Sequence, residues 1–451
     1  MQVRAIITAA GTGKRMNSKQ PKVLHEVCGI PMITRVINSV KDAGVSEIYV
    51  VLGNDSEAVK AILPEDIKTV EQKEQLGTAD AVKQLESELQ NQEGETLVVC
   101  GDTPLISPNT LSMLQGEHEQ NGFKATILSA YTENPGSFGR VIRKENGTVK
   151  EILEAAELRE EQKDIKEVSA GVALFNNVEL FKSLRKVTND NEAGEYYLSD
   201  IIGILSSKGQ RVGAYVTADH EEIIGVDDRM LLTEASRILR LRINQGHLEK
   251  GVTIIDPLNT YIDESVKIGM DTIIYPNTVL KGNTVIGEGT IISANCEISN
   301  SLIGDEVEIK HSVVSDAEVG NQTTVGPYAQ LRPGAKLGST VKVGNFVEVK
   351  KAVLKDGAKV SHLSYIGDAE IGERANIGCG AITVNYDGVN KFKTTVGDDA
   401  FIGCNTNLVA PVSVGERSIT AAGSTITDDV PNDSLAIARS KQTTKDGYYK
   451  K

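Results

Sequence analysis

The sequence predicts two unlike architectures in one chain of 451 residues: a doubly wound α/β sheet over residues 1–228, and a parallel β-helix of hexapeptide repeats over 251–451. Three observations carry this. Short β-rich runs alternate with helical patterns in the first half. An aliphatic residue recurs at every sixth position in the second half. Between them, residues 229–250 hold Leu231, Ala235, Ile238, Leu239 and Arg242 at helical spacing with charges in between, which reads as an amphipathic connecting helix. A chain of this length exceeds a single hydrophobic core, so a division is expected on size alone.

The first strand, "RAIITAA", runs into "GTGKRM". Glycines after a strand leave backbone N–H groups free to approach a phosphate. Neither familiar template fits. The dinucleotide fingerprint requires a third glycine where Met16 stands, and the Walker A loop requires glycine at Thr8 with Ser or Thr after Lys14. Taken alone, a glycine pair after a strand is more often just a turn. The later runs "EIYVVLG", "ETLVVCGD", "ATILSA", "GVALF" and "VGAYV" alternate with helical patterns such as 31–43 and 79–89, which predicts a parallel sheet. Ligands bind beyond the carboxyl ends of such strands. Gly11, Gly53 and the Gly101-Asp102 pair fall there.

From residue 252 the ladder Ile268, Ile274, Leu280, Ile286, Ile292, Ile298 keeps one register, and Ile303 and Ile309 follow after a five-residue step. A second series runs Val319, Val325, Leu331, Leu337, Val343, Val349, and a third Val396, Ile402, Leu408, Val414. Each coil of a parallel β-helix stacks its aliphatic ladder on the next. The gap from Ile377 to Val396 contains "NYDGVNKFK", predicted to be a loop thrown out of the coil, and long loops on solenoids are usually functional. His311 and His362 each stand two residues after a ladder aliphatic, so periodicity does not separate them.

Lys and Arg total 48 against 62 acids, a net charge of −14, which argues against a general nucleic-acid or anionic-membrane surface. The five cysteines (Cys28, Cys100, Cys296, Cys379, Cys404) lie far apart without a CxxC pair, as expected in a reducing compartment, and suggest no zinc site. No charged-then-apolar leader opens the chain, and no apolar run approaches the ~18 residues of a membrane span. The expected location is the cytoplasm.

The glycine loop, "PKVLH", "EQLGTADAV", "CGDTPL", "GEYYLSD" and the hexapeptide half, with "VSHLSYIGDAEIG", "NIGCGAITVNYDG" and "LVAPVSVG" in that order, together resemble the bacterial bifunctional N-acetylglucosamine-1-phosphate uridyltransferase / glucosamine-1-phosphate N-acetyltransferase family. The resemblance covers essentially the whole chain. It implies a Rossmann-like nucleotidyltransferase domain, a helical linker and a left-handed β-helix; the handedness comes from the resemblance alone, since crossovers are otherwise right-handed. It also implies UTP and acetyl-CoA as co-substrates, Mg²⁺, and a homotrimer whose acetyltransferase sites lie between neighbouring subunits.

Carried over by motif, Ala9, Ala10, Gly11, Arg15 and Lys22 hold the nucleotide, Gln72, Gly77 and Thr78 read the uracil, and Gly139 and Glu154 contact the sugar nucleotide. Asp102, after Gly101, and Asp227 are the Mg²⁺ ligands, with Ser169 beside the sugar. His362 in "SHLSY" is the general base, Arg332 and Lys350 clamp the sugar phosphate, and Tyr365 and Asn376 orient the sugar. Cys379, Asn385, Tyr386, Cys404, Ala422 and Arg439 line the acetyl-CoA site. The chain departs from the family pattern, which has leucine at Thr8, threonine at Lys14, asparagine at Ser169 and Asp227, and commonly serine at Cys404. A carboxylate at Asp227 remains a hard oxygen donor. The basic tail 440–451 is compatible with reaching the CoA phosphates or with lying free. Two competing readings, a nucleotidyltransferase with a passive β-helix and a non-catalytic scaffold, leave "SHLSY" and "NYDG", or the Gly101-Asp102 pair, without purpose.

Overall fold

The computed structural model describes residues 2–53 and 56–449. It divides into two compact units, Met1–Leu239 and Arg240–Lys451.

The first unit is built on a sheet whose long path runs, from edge to edge, Val212–Val216, Ala125–Tyr131, Glu167–Asn176, Glu95–Cys100, Val3–Ala9, Glu47–Leu52, Lys68–Glu71. Its strands alternate faces. Ala5 and Ile7 pack with Val50 and Val99 against the helices Met32–Asp42 and Pro108–Asn121, while Ile6, Tyr49 and Val98 pack against Val82, Phe181 and Ile201 on the other side. Burial of both faces explains why these strands read as continuous apolar runs.

Two expectations need correction. The sheet is mixed rather than parallel, because Glu167–Asn176 runs antiparallel to both neighbours. The chain leaves Ala125–Tyr131 into a hairpin, Arg140–Arg143 with Val149–Leu153, and returns without a crossover helix, which an antiparallel strand does not require. The hairpin turns at Asn146-Gly147, with Gly147 at φ +82°, a turn signal present in the sequence and not used. The helix expected over 79–89 is two short ones, Thr78–Lys83 and Glu86–Leu89. Leu85 leaves the helical region at φ −95°, ψ 5° and is buried with Leu89.

The connecting stretch is a helix, Arg229–Glu249. Ala235 and Ile238 are buried with Val27, Met32 and Leu105 of the first unit. In the second unit Asn244 Nδ2 donates to the carbonyls of Pro257 (2.8 Å) and Thr260 (3.1 Å).

The second unit is a left-handed parallel β-helix: among the described residues, strands of two to four residues form three sheets of eleven, ten and nine strands, each strand pairing in parallel with the third strand along except at the end, where Ile419–Thr420 pairs with Leu435–Ala436. The ladder is in register coil to coil, as in Val325↔Val343, Val343↔Val360 and Val360↔Ile377. Its aliphatics are buried, Ile268 alone among those named being partly so. The coils turn corners with residues in the left-handed region, often Asn or Asp, such as Asn277 and Asn295. Between Ile377 and Val396 the helix makes one more strand, Ile382–Val384, before the loop begins. Thr383 holds the ladder position there and satisfies itself: Gly367 N–H donates to its Oγ1 at 2.8 Å, and the hydroxyl donates to Gly367 O at 2.9 Å.

Candidate functional site

In the first unit the loop after Val3–Ala9 is shaped by two glycines, Gly13 within it and Gly53 against it. A Cβ at Gly13, which has φ +60°, would lie 2.8 Å from Lys22 Cβ, so this glycine sets the position of the lysine stem. At Gly53 a Cβ would lie 2.6 Å from the Ala10 carbonyl. Gly11, by contrast, is exposed and faces open space. The fold therefore requires Gly13, whereas Gly11 is the side of the loop left free for a ligand. At the neighbouring strand end, Gly101 N–H donates to Thr8 O at 2.9 Å and brings Asp102 beside the loop.

Four charges converge there. Lys22 Nζ donates to Asp102 Oδ2 and, at 3.0 Å, to Asp227 Oδ1. Arg15 Nη2 lies 2.9 Å from Asp227 Oδ2. Burial acts to lower the Lys22 pKa, but the two carboxylates outweigh it and the net shift is upward. The adjoining cavity, about 290 Å³, is lined by Thr8, Thr78, Asp102, Gly139, Glu154, Ser169 and Asp227, among others. Ser199 also lines it and donates to Glu154 Oε1 at 2.6 Å. The motif "GEYYLSD" contains Ser199 without singling it out.

Cys100 is a second lining residue that sequence reasoning missed. Burial, then the Asp102 charge, pushes its thiol up to about 12. Gln72 stands outside the cavity lining. It is 2% exposed, and its Nε2 donates to Gly77 O at 3.1 Å and Asp80 Oδ2 at 2.8 Å. Gly77 has φ +113°, and a Cβ there would meet Tyr196 O at 2.5 Å. Thr78 Oγ1 accepts from Leu198 N–H at 3.0 Å. Gln72 and Gly77 thus close the turn that leads into the helix Thr78–Lys83, and Thr78 ties the start of that helix to Leu198.

A divalent cation fits this site on its donor set. Asp102 and Asp227 already converge on one ammonium, and two carboxylates completed by phosphate oxygens and water are a usual Mg²⁺ set. Among the described residues no group of three or more His, Cys, Asp or Glu could hold a metal by itself.

In the second unit, register separates the two histidines that periodicity could not. His311 turns a corner, with φ 38°, and stacks on Tyr328 at 5.9 Å between ring centroids. In the coil of His362 the corner residue is Leu363, φ 47°, which leaves His362 extended at the end of the strand Lys359–His362. Asn345 pairs with His362 across the coils, and the Val360↔Ile377, Ile377↔Ile402 and Ile402↔Thr420 pairings place Cys379, Cys404 and Ala422 at the equivalent position of successive coils. Five residues scattered along the sequence thereby form one column. His362 Nδ1 lies 2.7 Å from Asn345 Oδ1.

Across the corner, Arg332 just past Gln330–Leu331, Lys350 at the end of Glu348–Lys350 and Tyr365 at the start of Tyr365–Gly367 lie on successive coils of one sheet. Arg332 Nη1 lies 2.7 Å from Glu348 Oε1. Lys391, from the projecting loop, is held below the ordinary lysine range chiefly by its contact with Lys350. Asn376 begins the next strand of the His362 sheet. Asn385 Nδ2 donates to Asp368 Oδ2, and Tyr386 OH donates to Gly388 O at 2.5 Å, so both ends of the loop's first turn are tied. Arg439 and the described part of the tail are exposed, and Lys450 and Lys451 lie outside the described residues. Among the described residues no helix is long and apolar enough to cross a membrane.

Residues 5–197 match the MobA-like NTP transferase domain, and residues 265–300 and 393–428 match the bacterial transferase hexapeptide (six repeats). The chain is 56% identical over 451 residues, 100% of both chains, to the bifunctional protein GlmU of Staphylococcus epidermidis. It is equally 56% identical, over the same full lengths, to the bifunctional protein GlmU of Staphylococcus haemolyticus.

Proposed function

We propose, for a chain that belongs to the GlmU family of bifunctional proteins, that each unit carries one of two consecutive transfers in the synthesis of UDP-N-acetylglucosamine. Acetyl-CoA and glucosamine-1-phosphate give N-acetylglucosamine-1-phosphate and CoA. With UTP that product gives UDP-N-acetylglucosamine and pyrophosphate. The observation that carries the reading is the coexistence, in one chain, of a cation-and-carboxylate cluster at a strand-end cavity and a histidine at the head of a coil-to-coil column.

Acetyl transfer to an amine requires a base, because the glucosamine amine is largely protonated at neutral pH. His362 Nε2 takes a proton from the ammonium, the freed amine attacks the thioester carbonyl, and the second proton that the nitrogen sheds passes to the thiolate of CoA as it leaves. Arg332, Lys350 and Lys391 supply the positive charge that a phosphomonoester needs, with Tyr365 and Asn376 against the sugar. Asn385, Tyr386, Cys379, Cys404, Ala422 and Arg439 border the acetyl-CoA path.

Uridylyl transfer has the opposite requirement. The acceptor phosphate is already an anion and needs no base, so alignment and charge neutralisation remain. Lys22 and Arg15, released from the carboxylates by the incoming phosphates, meet the triphosphate, while Ala9, Ala10 and Gly11 present open backbone to it. Asp102 and Asp227 would hold Mg²⁺, which supplies Lewis-acid neutralisation of the phosphate oxygens. The carboxylate at Asp227 tightens metal while repelling triphosphate; Mg²⁺ and UTP affinities equal to native in Asp227→Asn would refute this. Gly139, Glu154 and Ser169 lie where the sugar enters.

A cytoplasmic homotrimer is the fitting assembly. Tyr328, Phe346 and Leu363 form an apolar ridge along one corner, 60%, 56% and 58% exposed in the single chain. One reaction containing the chain, Mg²⁺, UTP, glucosamine-1-phosphate and acetyl-CoA, followed by mass spectrometry, tests both transfers together. His362→Ala is expected to abolish acetyl transfer and leave pyrophosphate release intact; loss of both in a folded variant would overturn the two-site reading.

A further inference from the structure

An imidazole acts as a base through one nitrogen only when the proton sits on the other, and which one carries it is set by the partner of the second nitrogen. The partner here is a neutral carboxamide. Asn345 Oδ1 lies 2.7 Å from His362 Nδ1, and an amide oxygen can only accept, so the ring proton resides on Nδ1 and Nε2 keeps its lone pair. An amide turned the other way would donate to Nδ1 and put the proton on Nε2, leaving no base.

The geometry points to Asn345 as a positioning residue for acetyl transfer: it selects the His362 tautomer with a free Nε2 and fixes the plane of the ring. This rests on His362 being the base of the proposed reaction. Two further features hold the pair. The strands carrying them are in register, Asn345 opposite His362, and Gly344 lies so close to the Ser361 carbonyl that any Cβ there would collide with it. Two bonds hold the backbone of the pair: Leu363 N–H donates to Asn345 O at 3.0 Å, and the Ser364 hydroxyl donates to His362 O at 2.9 Å. The coils therefore cannot slide to offer His362 a different partner. The titratable group stacked on its other side is Cys379. The choice of an amide over a carboxylate has a chemical consequence. A carboxylate at the same distance would also select this tautomer, but it would stabilise the imidazolium and displace the base's working range to higher pH.

The test uses the full chain with Asn345→Leu, Asn345→Asp and His362→Ala, measuring acetyl transfer as a function of pH, pyrophosphate release, and ring ¹⁵N shifts of histidine-labelled protein without substrate. For Asn345→Leu the expected result is a fall in kcat of about 10²-fold, KM for glucosamine-1-phosphate within twofold, unchanged pyrophosphate release, and a new Nε2–H population at His362. For Asn345→Asp activity persists, with the acid limb of the profile displaced upward by about one pH unit or more. Asn345→Leu with native kcat, or Asn345→Asp with a native profile, would overturn the inference. If His362→Ala retained acetyl transfer, the proposed function itself would fail; if it lost transfer while both Asn345 variants behaved as native, only this inference would.

Discussion

Lys22→Met removes the one group that both carboxylates of the first site hold. At the 3.0 Å separation from Asp227, unit charges attract by about 5–6 kcal/mol in a medium of effective dielectric ~20. Taking a mostly buried ammonium out of water cancels much of that, which leaves about 2–3 kcal/mol for two charge-assisted hydrogen bonds. Asp102 then loses its counter-charge, while Asp227 keeps Arg15. For a unit of this size the loss corresponds to a Tm lower by about 4–10 °C, read by calorimetry on ligand-free protein at neutral pH. The raised Lys22 pKa means that the contribution is whole below the ordinary lysine value of 10.5 and disappears only as pH climbs past it. Millimolar MgCl₂ is expected to restore more Tm to the variant than to the native chain, since a dication can then occupy the lysine's place. Lys14→Met, at an exposed position of the same loop, serves as the control and is expected to change stability by less than about 0.5 kcal/mol. A variant whose Tm stays within a degree of native and whose response to Mg²⁺ is the same would refute the counter-ion account.

Asp200 is pushed up to about 6 by burial and then by Glu157 and Glu154, so the fold keeps a proton that the unfolded chain has shed above pH 3.8. Stability accordingly falls as pH rises through that window, and Asp200→Asn is expected to gain about 1 kcal/mol at pH 7.5, after allowance for its partial exposure, and nothing near pH 3.5. Gly77→Ala drives a Cβ to 2.5 Å from Tyr196 O at φ +113°; uridylyl transfer is expected to fall by more than tenfold with acetyl transfer preserved, and equal loss of both would count against separate sites. Thr383→Val keeps the ladder's shape but leaves the Gly367 N–H without its hydroxyl acceptor, so chemical denaturation is expected to show a loss of about 1–3 kcal/mol in the β-helix transition.

What the sequence disclosed follows from which signals are local. Ladder aliphatics such as Leu331 and Val349 announce their burial through spacing alone, because each coil repeats the same demand for a buried side chain. Thr383 escaped because a threonine with both hydrogen bonds satisfied can replace an aliphatic, and spacing sees only apolarity. The antiparallel course of Glu167–Asn176 escaped for a different reason: a strand buried on both faces reads the same in either direction. The site was legible where motif and strand end coincide, at Gly101-Asp102, and illegible where it depends on register. His311 and His362 share a spacing, and only the corner residue of each coil distinguishes them.

The two sites meet opposite electrostatic demands with different kinds of partner. Uridylyl transfer as proposed brings in several negative charges at once, and the first unit holds opposing charges in contact, with Lys22 and Arg15 against carboxylates that incoming phosphates would displace. Acetyl transfer turns on a single proton, and a stored carboxylate beside His362 would hold that proton on the ring. A neutral amide at 2.7 Å orients without charging, which makes Asn345 the counterpart, in the second unit, of Lys22 in the first. Exchanging the logic is therefore the sharpest contrast: adding a charge through Asn345→Asp impairs acetyl transfer at neutral pH by stabilising the wrong protonation state, whereas deleting one through Lys22→Met impairs uridylyl transfer by leaving the phosphates unmet.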